Sequence, residues 1–188
     1  HSTVPDHIKQ AYVEQNGLER HAGLPDVSEA THKVLEEQLK IVVSEGGKVY
    51  HPNIDGEYVL TADNLLKMTL IWLRLQAGVP VVIMGETGVG KTSLLKYLAH
   101  HVPDVSFEVV NVHAGTSLSQ IQDAVVAAEE IAKERDARVW LFWDEINTNE
   151  NIGLLEEIVC RQRIRGRKID ERVISMAACN PYRKRKSS

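Results

Sequence analysis

The octapeptide GETGVGKT at residues 85–92 constrains the fold of this chain more than any other stretch of its sequence. An apolar run, VPVVIM, precedes it directly, and a helical pattern follows it. The loop fits the pattern G-x-x-x-x-G-K-[ST], whose fixed positions are filled here by Gly85, Gly90, Lys91 and Thr92. Glycines allow the backbone to turn its N–H groups around a phosphate, and the start of the helix adds positive potential. The stretch therefore predicts a strand, a phosphate-holding loop and a helix, in that order.

Further apolar runs predict a parallel sheet. They are short and nearly continuous, which is typical of strands buried on both faces. Helical stretches separate them, and strands that alternate with helices favour parallel pairing with right-handed crossovers. We therefore expect a three-layer α/β fold, with strands at 79–84, 107–112, 139–143 and 172–179 and helices at 92–100, 118–135 and 151–163.

A helical segment precedes this unit. Its apolar residues recur at helical spacing, and glycines and a proline then end the pattern. A second helix is expected to begin after Thr61 and to end at Gly78, and apolar side chains around most of its circumference predict that it is largely buried. The apolar positions of the first helix are Val34, Leu35, Leu39 and Val42, and the terminating residues are Gly46, Gly47, Pro52 and Gly56.

Charge, hydropathy and cysteine content exclude several classes of protein. With 22 Lys+Arg against 26 Asp+Glu the net charge is −4, which leaves no electrostatic footprint for non-specific nucleic-acid binding. No apolar run approaches the ~20 residues of a membrane span, and the first residues lack the pattern of a signal peptide. Cys160 and Cys179 suit neither a zinc site nor a disulfide framework, so we expect two buried thiols in a reducing, cytoplasmic protein. Because the sequence lacks an initial methionine, we expect it to be a piece of a larger chain.

Two adjacent carboxylates, Asp144 and Glu145, directly follow the third predicted strand. Since open parallel sheets bind their ligands at the carboxyl ends of strands, this pair indicates a metal and water site. Lys91 would reach the outer phosphates of a nucleotide, while the Thr92 hydroxyl and Asp144 would hold Mg²⁺. Glu145 is the candidate that orients or deprotonates the attacking water. The alternative is a solvated strand end that caps a helix.

Polar residues also end two other predicted strands. The Asn180 amide could hydrogen-bond the γ-phosphate or the lytic water, or it could form a turn before Pro181. Asn111 and His113 close the second strand. Asn111 could hold Glu145 in an inactive pose, or it could make only a strand-end hydrogen bond.

Several basic residues follow the last predicted helix. One of them could reach a neighbouring module, because an arginine donated in trans stabilises phosphoryl-transfer charge. The favoured interpretation is a cationic helix end followed by a hairpin turned at Gly166. The arginines concerned are Arg161, Arg163, Arg165 and Arg167, and we interpret the basic end at 183–186 as a solvated charge run.

Four motifs in this order resemble the AAA+ family of ATPases. GETGVGKT corresponds to Walker A, FEVVNV to an intervening strand, LFWDEIN to Walker B with its catalytic glutamate, and AACNP to sensor 1. More narrowly, YVLTADNLLKM, PVVIMGETGVGKTSLL, DEINT, GLLEEIV and ACNPYRKR are similar to the mysterin family of giant RING-finger ubiquitin ligases with a dynein-like AAA+ core. The resemblance implies a P-loop NTPase fold of the AAA+ large-subdomain type.

The same resemblance implies ATP and Mg²⁺ as ligands. It implies catalytic roles for Lys91, Glu145 and Asn180, and metal ligation by Thr92 and Asp144. The nucleotide-binding residues that it implies are Gly85, Glu86, Thr87, Gly88, Val89, Gly90, Lys91, Thr92, Ser93 and Asp144.

In that family several AAA+ modules lie in tandem, and the ligase machinery lies elsewhere. The implied partners are therefore ATP or ADP, neighbouring AAA+ modules of the same chain and, through the parent protein, the ubiquitin machinery, with no direct nucleic-acid contact.

We expect residues 1–57 to form a helical N-terminal or linker segment and 58–188 an AAA+ large subdomain. The chain stops eight residues after Asn180, before the arginine finger, fifth strand and lid of the family pattern. We therefore expect a C-terminally truncated subdomain with weakened nucleotide affinity and little hydrolysis alone.

Three functions remain open at the level of sequence. The leading hypothesis is an ATPase module that couples nucleotide state to conformational change in a larger ubiquitin ligase. The alternative is a non-hydrolysing nucleotide-binding module that acts structurally. A GTP-using switch ranks last, because no N-K-x-D-like stretch that would read guanine follows the loop.

Overall fold

The computed structural model describes residues 31–44 and 58–181 of the chain. Helix α1 spans His32–Val43, and α2 spans Ala62–Gln76. Strands and helices then alternate as β1 (Val81–Met84), α3 (Lys91–His101), β2 (Val105–Asn111), α4 (Leu118–Arg135) and β3 (Arg138–Asp144). A 3-10 turn (Ile146–Thr148), α5 (Ile152–Arg161), the short strands β4 (Arg163–Ile164) and β5 (Arg167–Lys168), and β6 (Val173–Cys179) follow.

Four strands form a parallel sheet in the order β1-β6-β3-β2. Successive side chains of a strand point to opposite faces, so β3 contributes to both sides of the sheet. Trp140 and Phe142 pack with α1, α2 and α3, whereas Leu141 and Trp143 pack with α4 and α5. The sheet thus lies between two layers of helices, which confirms the predicted three-layer α/β fold.

Local sequence explains where the helices begin. The Thr61 hydroxyl accepts a hydrogen bond from the Asn64 N–H at 3.2 Å, so α2 starts directly after Thr61 as predicted. Ser117 and Gln120 form a capping box at the start of α4, and the observed bounds of α4 match the predicted 118–135. The other predicted strands and helices are present, with ends shifted by one to a few residues.

The predicted burial of α2 is wrong for one of its faces. Met68 is fully buried, whereas Leu66 and Leu70 are 57% and 54% exposed. The helix covers the sheet along a single stripe, and its opposite side contacts no described residue that would bury these leucines. The prediction failed because a helix that is apolar all around does not reveal which side the fold will cover.

The prediction that every strand is buried on both faces is also wrong. It holds for β3 and β6 in the centre of the sheet, but Val82 and Met84 of the edge strand β1 are 47% and 69% exposed. The two cysteines depart from expectation as well: Cys160 on α5 is exposed, and Cys179 at the end of β6 is partly exposed.

The predicted hairpin is confirmed. β4 and β5 pair antiparallel, and Arg165 and Gly166 both have the positive φ that such a tight turn requires. The Glu157 carboxylate holds the turn by accepting from the N–H groups of both residues, at 3.1 and 2.7 Å.

Some predictions fall outside the described residues, namely the helix stop at Gly46 and Gly47, the break at Pro52 and Gly56, and the basic end at 183–186. Within the described ranges, no helix combines the length and the apolar character needed to cross a membrane.

Candidate nucleotide-binding site

The glycine loop joins β1 to α3 at the carboxyl edge of the sheet. Gly88 and Gly90 have φ values of 82° and 81°, the left-handed region that glycine adopts without strain. A side chain at Gly85 would approach the Val89 Cγ2 atom to 3.1 Å, so this position also favours glycine. The carbonyl of Gly90 accepts from the Leu94 N–H at 2.9 Å and thereby starts α3. The loop therefore directs the positive start of α3 toward this edge of the sheet.

Lys91 crosses the mouth of this loop. Its Nζ atom donates to the Gly85 carbonyl at 2.8 Å, to the Glu86 carbonyl at 3.0 Å and to Asn180 Oδ1 at 3.1 Å. The ammonium is thus held between the loop and the end of β6. From this position a short movement of the flexible side chain would bring it to an anion held by the loop.

Thr92 and Asp144 form the oxygen-rich part of the site. The Thr92 hydroxyl donates to Asp144 Oδ2 at 2.8 Å, which joins the start of α3 to the end of β3. The second oxygen, Asp144 Oδ1, is buried and has no hydrogen-bond partner among the described residues. A buried carboxylate oxygen without a partner, beside a hydroxyl, is suited to a hard cation such as Mg²⁺ and the water it carries. The residues present therefore fit that ion.

Glu145 and Asn180 complete the site. Asn180 Nδ2 donates to Glu145 Oε1 at 3.2 Å and to Thr87 Oγ1 at 3.1 Å, and the Thr87 hydroxyl donates to the same Glu145 oxygen at 3.4 Å. The Asn180 amide therefore bridges the Lys91 ammonium and the Glu145 carboxylate. Its orientation is fixed by these neighbours, since lysine can only donate and an ionised carboxylate can only accept.

The other predicted strand-end residues have different surroundings. Asn111 stands opposite Asp144 in the ladder between β2 and β3, and within the described ranges its side chain makes no hydrogen bond to Glu145. His113 Nδ1 accepts from the Gly115 N–H at 3.1 Å and so belongs to the loop before α4. Two arginines near the hairpin bond to carboxylates of the neighbouring helices, Arg161 to Glu156 of α5 and Arg167 to Glu129 of α4.

The loop that carries Glu145 is held by three polar side chains that the sequence patterns did not single out, those of Asn147, Thr148 and Asn149. Asn147 binds the backbone of Asn180, and Thr148 Oγ1 donates to the carbonyl of Glu145 at 2.9 Å. Asn149 is buried and donates to the His113 and Thr116 carbonyls at 2.7 and 2.8 Å. The signal was the polar run NTNEN, because asparagine and threonine side chains commonly bond to nearby backbone groups.

Comparison with known proteins gives one family. The family model described as the RNF213 AAA domain matches residues 58–183. E3 ubiquitin-protein ligase RNF213 of Mus musculus is 41% identical over 140 residues, and its Homo sapiens counterpart is 39% identical over 140 residues. E3 ubiquitin-protein ligase rnf213-beta of Danio rerio is also 39% identical over 140 residues. Each alignment covers 69% of this chain and only 3% of the length of the relative.

Proposed function

Because this chain belongs to the RNF213 AAA domain family, we propose that it binds ATP with Mg²⁺ and hydrolyses the ATP at the site around Lys91, Asp144 and Glu145. The observation that carries the proposal is the hydrogen-bonded network between the glycine loop, the residue after β3 and the residue after β6. These segments lie far apart in sequence and meet at the edge where parallel sheets bind their ligands. The residue types they bring together are those that position and stabilise a transferring phosphoryl group.

The glycine loop and Lys91 would bind the phosphates. Backbone N–H groups at the start of α3 favour anionic ligands, and Lys91 would exchange the carbonyls of Gly85 and Glu86 for outer phosphate oxygens. Thr92 and Asp144 would hold Mg²⁺, which supplies charge neutralisation at the phosphate oxygens when it is bound. The proposed nucleotide contacts are Gly85, Glu86, Thr87, Gly88, Val89, Gly90, Lys91, Thr92, Ser93 and Asp144.

Glu145 would orient the attacking water and accept its proton. Its Oε1 atom is already held by Thr87 and Asn180, and the structure gives Oε2 no hydrogen bond within the described ranges. We assign the proton-accepting role to Oε2, because that oxygen can still take a hydrogen bond from water. The Asn180 amide would stabilise negative charge that develops on the γ-phosphate.

The larger protein is part of the same proposal. Since the relatives are named as E3 ubiquitin-protein ligases and the chain spans 3% of their length, ubiquitin transfer would belong to other parts of a parent chain. The module at 58–188 would couple its nucleotide state to movement of neighbouring AAA+ modules in a cytoplasmic protein. Residues 1–57 would form the segment that leads into it.

The test is ATP turnover and nucleotide binding by the intact protein with Lys91→Ala and Glu145→Gln. We expect Lys91→Ala to weaken ATP binding and abolish the turnover of this site, because it removes the phosphate-binding cation. We expect Glu145→Gln to keep ATP bound and to lower the turnover by at least about 100-fold, since the amide cannot take a proton from water. Lys96→Ala on the same helix and Glu150→Gln on the same loop are the matched controls, because both side chains are exposed.

The two variants separate hydrolysis from storage of nucleotide. Turnover that survives both changes would contradict the proposal. Retained ATP binding with no turnover in the unaltered protein would instead identify a structural nucleotide site.

A further inference from the structure

The ladder of the sheet stops one residue before Asn180. Cys179 is the last residue of β6 and pairs with Met84 of β1. On the side of β3, the last pair is Trp143 with Ala177. The backbone N–H and carbonyl of Asn180 therefore lie beyond the hydrogen bonds of the ladder, and they need other partners.

The side chain of Asn147 supplies both partners. Asn147 Oδ1 accepts from the Asn180 N–H at 3.1 Å, and Asn147 Nδ2 donates to the Asn180 carbonyl at 3.4 Å. A primary amide carries a donor and an acceptor side by side, so it can bind both polar groups of one residue as a neighbouring strand would. Asn147 thus extends the edge of the sheet by one residue, from the 3-10 turn that follows β3.

The position of the Asn180 backbone determines where its side chain lies. That side chain accepts from Lys91 Nζ at 3.1 Å and donates to Glu145 Oε1 at 3.2 Å. Asn147 is only two residues after Glu145, so one short turn carries both the carboxylate and the amide that holds Asn180. The two hydrogen bonds between Asn147 and the Asn180 backbone therefore help to set the separation between Glu145 and Asn180, together with the direct bond between their side chains.

We propose that Asn147 is a positioning residue that holds Asn180 at the correct distance from Glu145 and from the bound phosphates. It acts through Asn180, and in the described part of the chain its side chain makes no hydrogen bond to Lys91, Asp144 or Thr92. The inference rests on the proposed hydrolysis of ATP. It assigns to Asn147 a role in the chemical step rather than in binding, because a small displacement of a group that acts on the transition state lowers kcat more than it changes KM.

The test is a double-mutant cycle in the intact protein with Asn147→Ala, Asn180→Ala and the double variant. The turnover of this site is taken as the part that Lys91→Ala removes. We expect Asn147→Ala to lower kcat by at least about tenfold with KM for ATP changed by less than about twofold. In the Asn180→Ala background, Asn147→Ala is expected to have no further effect, because its target side chain is already gone.

Asn151→Ala is the matched control. It removes an amide from the same loop, but among the described residues that amide bonds only to the Thr116 carbonyl, at 3.4 Å. We expect its kcat to equal that of the unaltered protein.

Amide hydrogen exchange gives a readout that does not depend on catalysis. The backbone N–H of Asn180 should exchange faster in Asn147→Ala and should be unchanged in Asn151→Ala. Unchanged exchange in Asn147→Ala would show that the side chain does not hold this backbone and would overturn the inference.

The kinetic outcomes are distinguishable from failure of the proposed function. If Glu145→Gln abolishes turnover while Asn147→Ala leaves kcat intact, the role of Asn147 is wrong and the ATPase proposal stands. If the effects of Asn147→Ala and Asn180→Ala multiply in the double variant, Asn147 acts independently of Asn180 and the inference is again wrong. If Glu145→Gln leaves turnover unchanged, the proposed hydrolysis fails, and the catalytic role of Asn147 fails with it.

Discussion

Glu145 has a φ of 60°, which a residue with a side chain adopts only at a cost of roughly 1–3 kcal/mol. Two hydrogen bonds hold it there: the N–H and the hydroxyl of Thr148 both donate to the Glu145 carbonyl, at 3.1 and 2.9 Å. The bend lets the chain leave β3 abruptly while the carboxylate stays beside Thr87 and Asn180. The strain and the proposed water-orienting role therefore belong to the same residue.

Comparison of Glu145→Gly with Glu145→Ala measures this strain. Both changes remove the carboxylate, but only glycine relieves the backbone. We expect the glycine variant to have the higher free energy of unfolding, by about 1 kcal/mol in urea denaturation. Equal stability of the two variants would show that the backbone at this position is unstrained. Both variants should lack turnover.

His101 is a second residue whose environment matters, because its imidazole is fully buried between α1 and α3. Its Nδ1 bonds to the Tyr97 carbonyl at 2.9 Å, while Nε2 lacks a hydrogen bond in the described part of the chain. Burial lowers the pKa of His101, and the nearby Lys40 and His100 lower it further. Two groups raise this pKa: the Tyr97 carbonyl and the Glu36 carboxylate, whose Oε1 atom is 3.9 Å from Nε2. Desolvation is the largest of these effects, so the folded protein favours the neutral ring.

The lowered pKa of His101 predicts that acid destabilises the folded protein. Because the pKa of His101 is lower in the folded chain than in the unfolded chain, the unfolded chain takes up a proton first as the pH falls. We expect the free energy of unfolding to decrease as the pH falls below about 6.5, the ordinary pKa of histidine. Urea denaturation between pH 7.5 and 5.5 should show a smaller pH dependence in His101→Gln. His100→Gln, at an exposed neighbour, should reduce it much less.

At the scale of elements, Glu129 connects α4 to the hairpin of β4 and β5. The carboxylate is nearly buried and accepts two hydrogen bonds from Arg167, at 2.8 and 2.9 Å, and one from the Asp170 N–H at 3.0 Å. The bond to Arg167 is the main reason that the pKa of Glu129 is lowered. Ile164 of β4 and Ile169 after β5 are buried in the core, so this carboxylate adds a polar attachment to the apolar contacts of the hairpin.

Removal of this carboxylate should destabilise the domain. We expect Glu129→Ala to lower the free energy of unfolding by about 2 kcal/mol, since it breaks three charge-assisted hydrogen bonds and leaves the Asp170 N–H without its acceptor. Glu130→Ala, at the exposed neighbour, should change it by less than about 0.5 kcal/mol. A similar loss in both variants would mean that helix propensity, rather than the contact with the hairpin, sets the effect.

Elements and candidate residues could be predicted where the signal is local. The bounds of α4 follow from the serine that caps it and from the change of hydrophobic period, both of which lie within a few residues. That Asp144, Glu145 and Asn180 lie at one edge of the sheet could be predicted, because the strands of a parallel sheet end there. The pairing of Asn147 with Asn180 could not be predicted, because the two residues are 33 positions apart and only the folded chain brings them together.

At the scale of the whole molecule, the order of the strands explains both where the candidate site lies and why the predicted burial of β1 was wrong. β6 is the last strand in sequence but lies between β1 and β3. This insertion brings Asn180 between the glycine loop and Glu145. It also leaves β1 at an edge, which explains why Val82 and Met84 are exposed although their sequence suits a buried strand. Strand order is a non-local property, and the local pattern of apolar and polar residues does not reveal it.

The free edge of β1 has a consequence for how the chain behaves in solution. β1 pairs with β6 on one side, and among the described residues no strand pairs with it on the other. Unpaired backbone groups beside exposed Val82, Met84 and Leu70 form a surface that favours association with other chains.

We expect the isolated chain to self-associate as its concentration rises. Val82→Lys should reduce this self-association in light scattering, whereas Val126→Lys on α4 should not. The apparent nucleotide affinity of the isolated chain should then vary with dilution, so affinities measured at a single concentration would not be comparable between preparations.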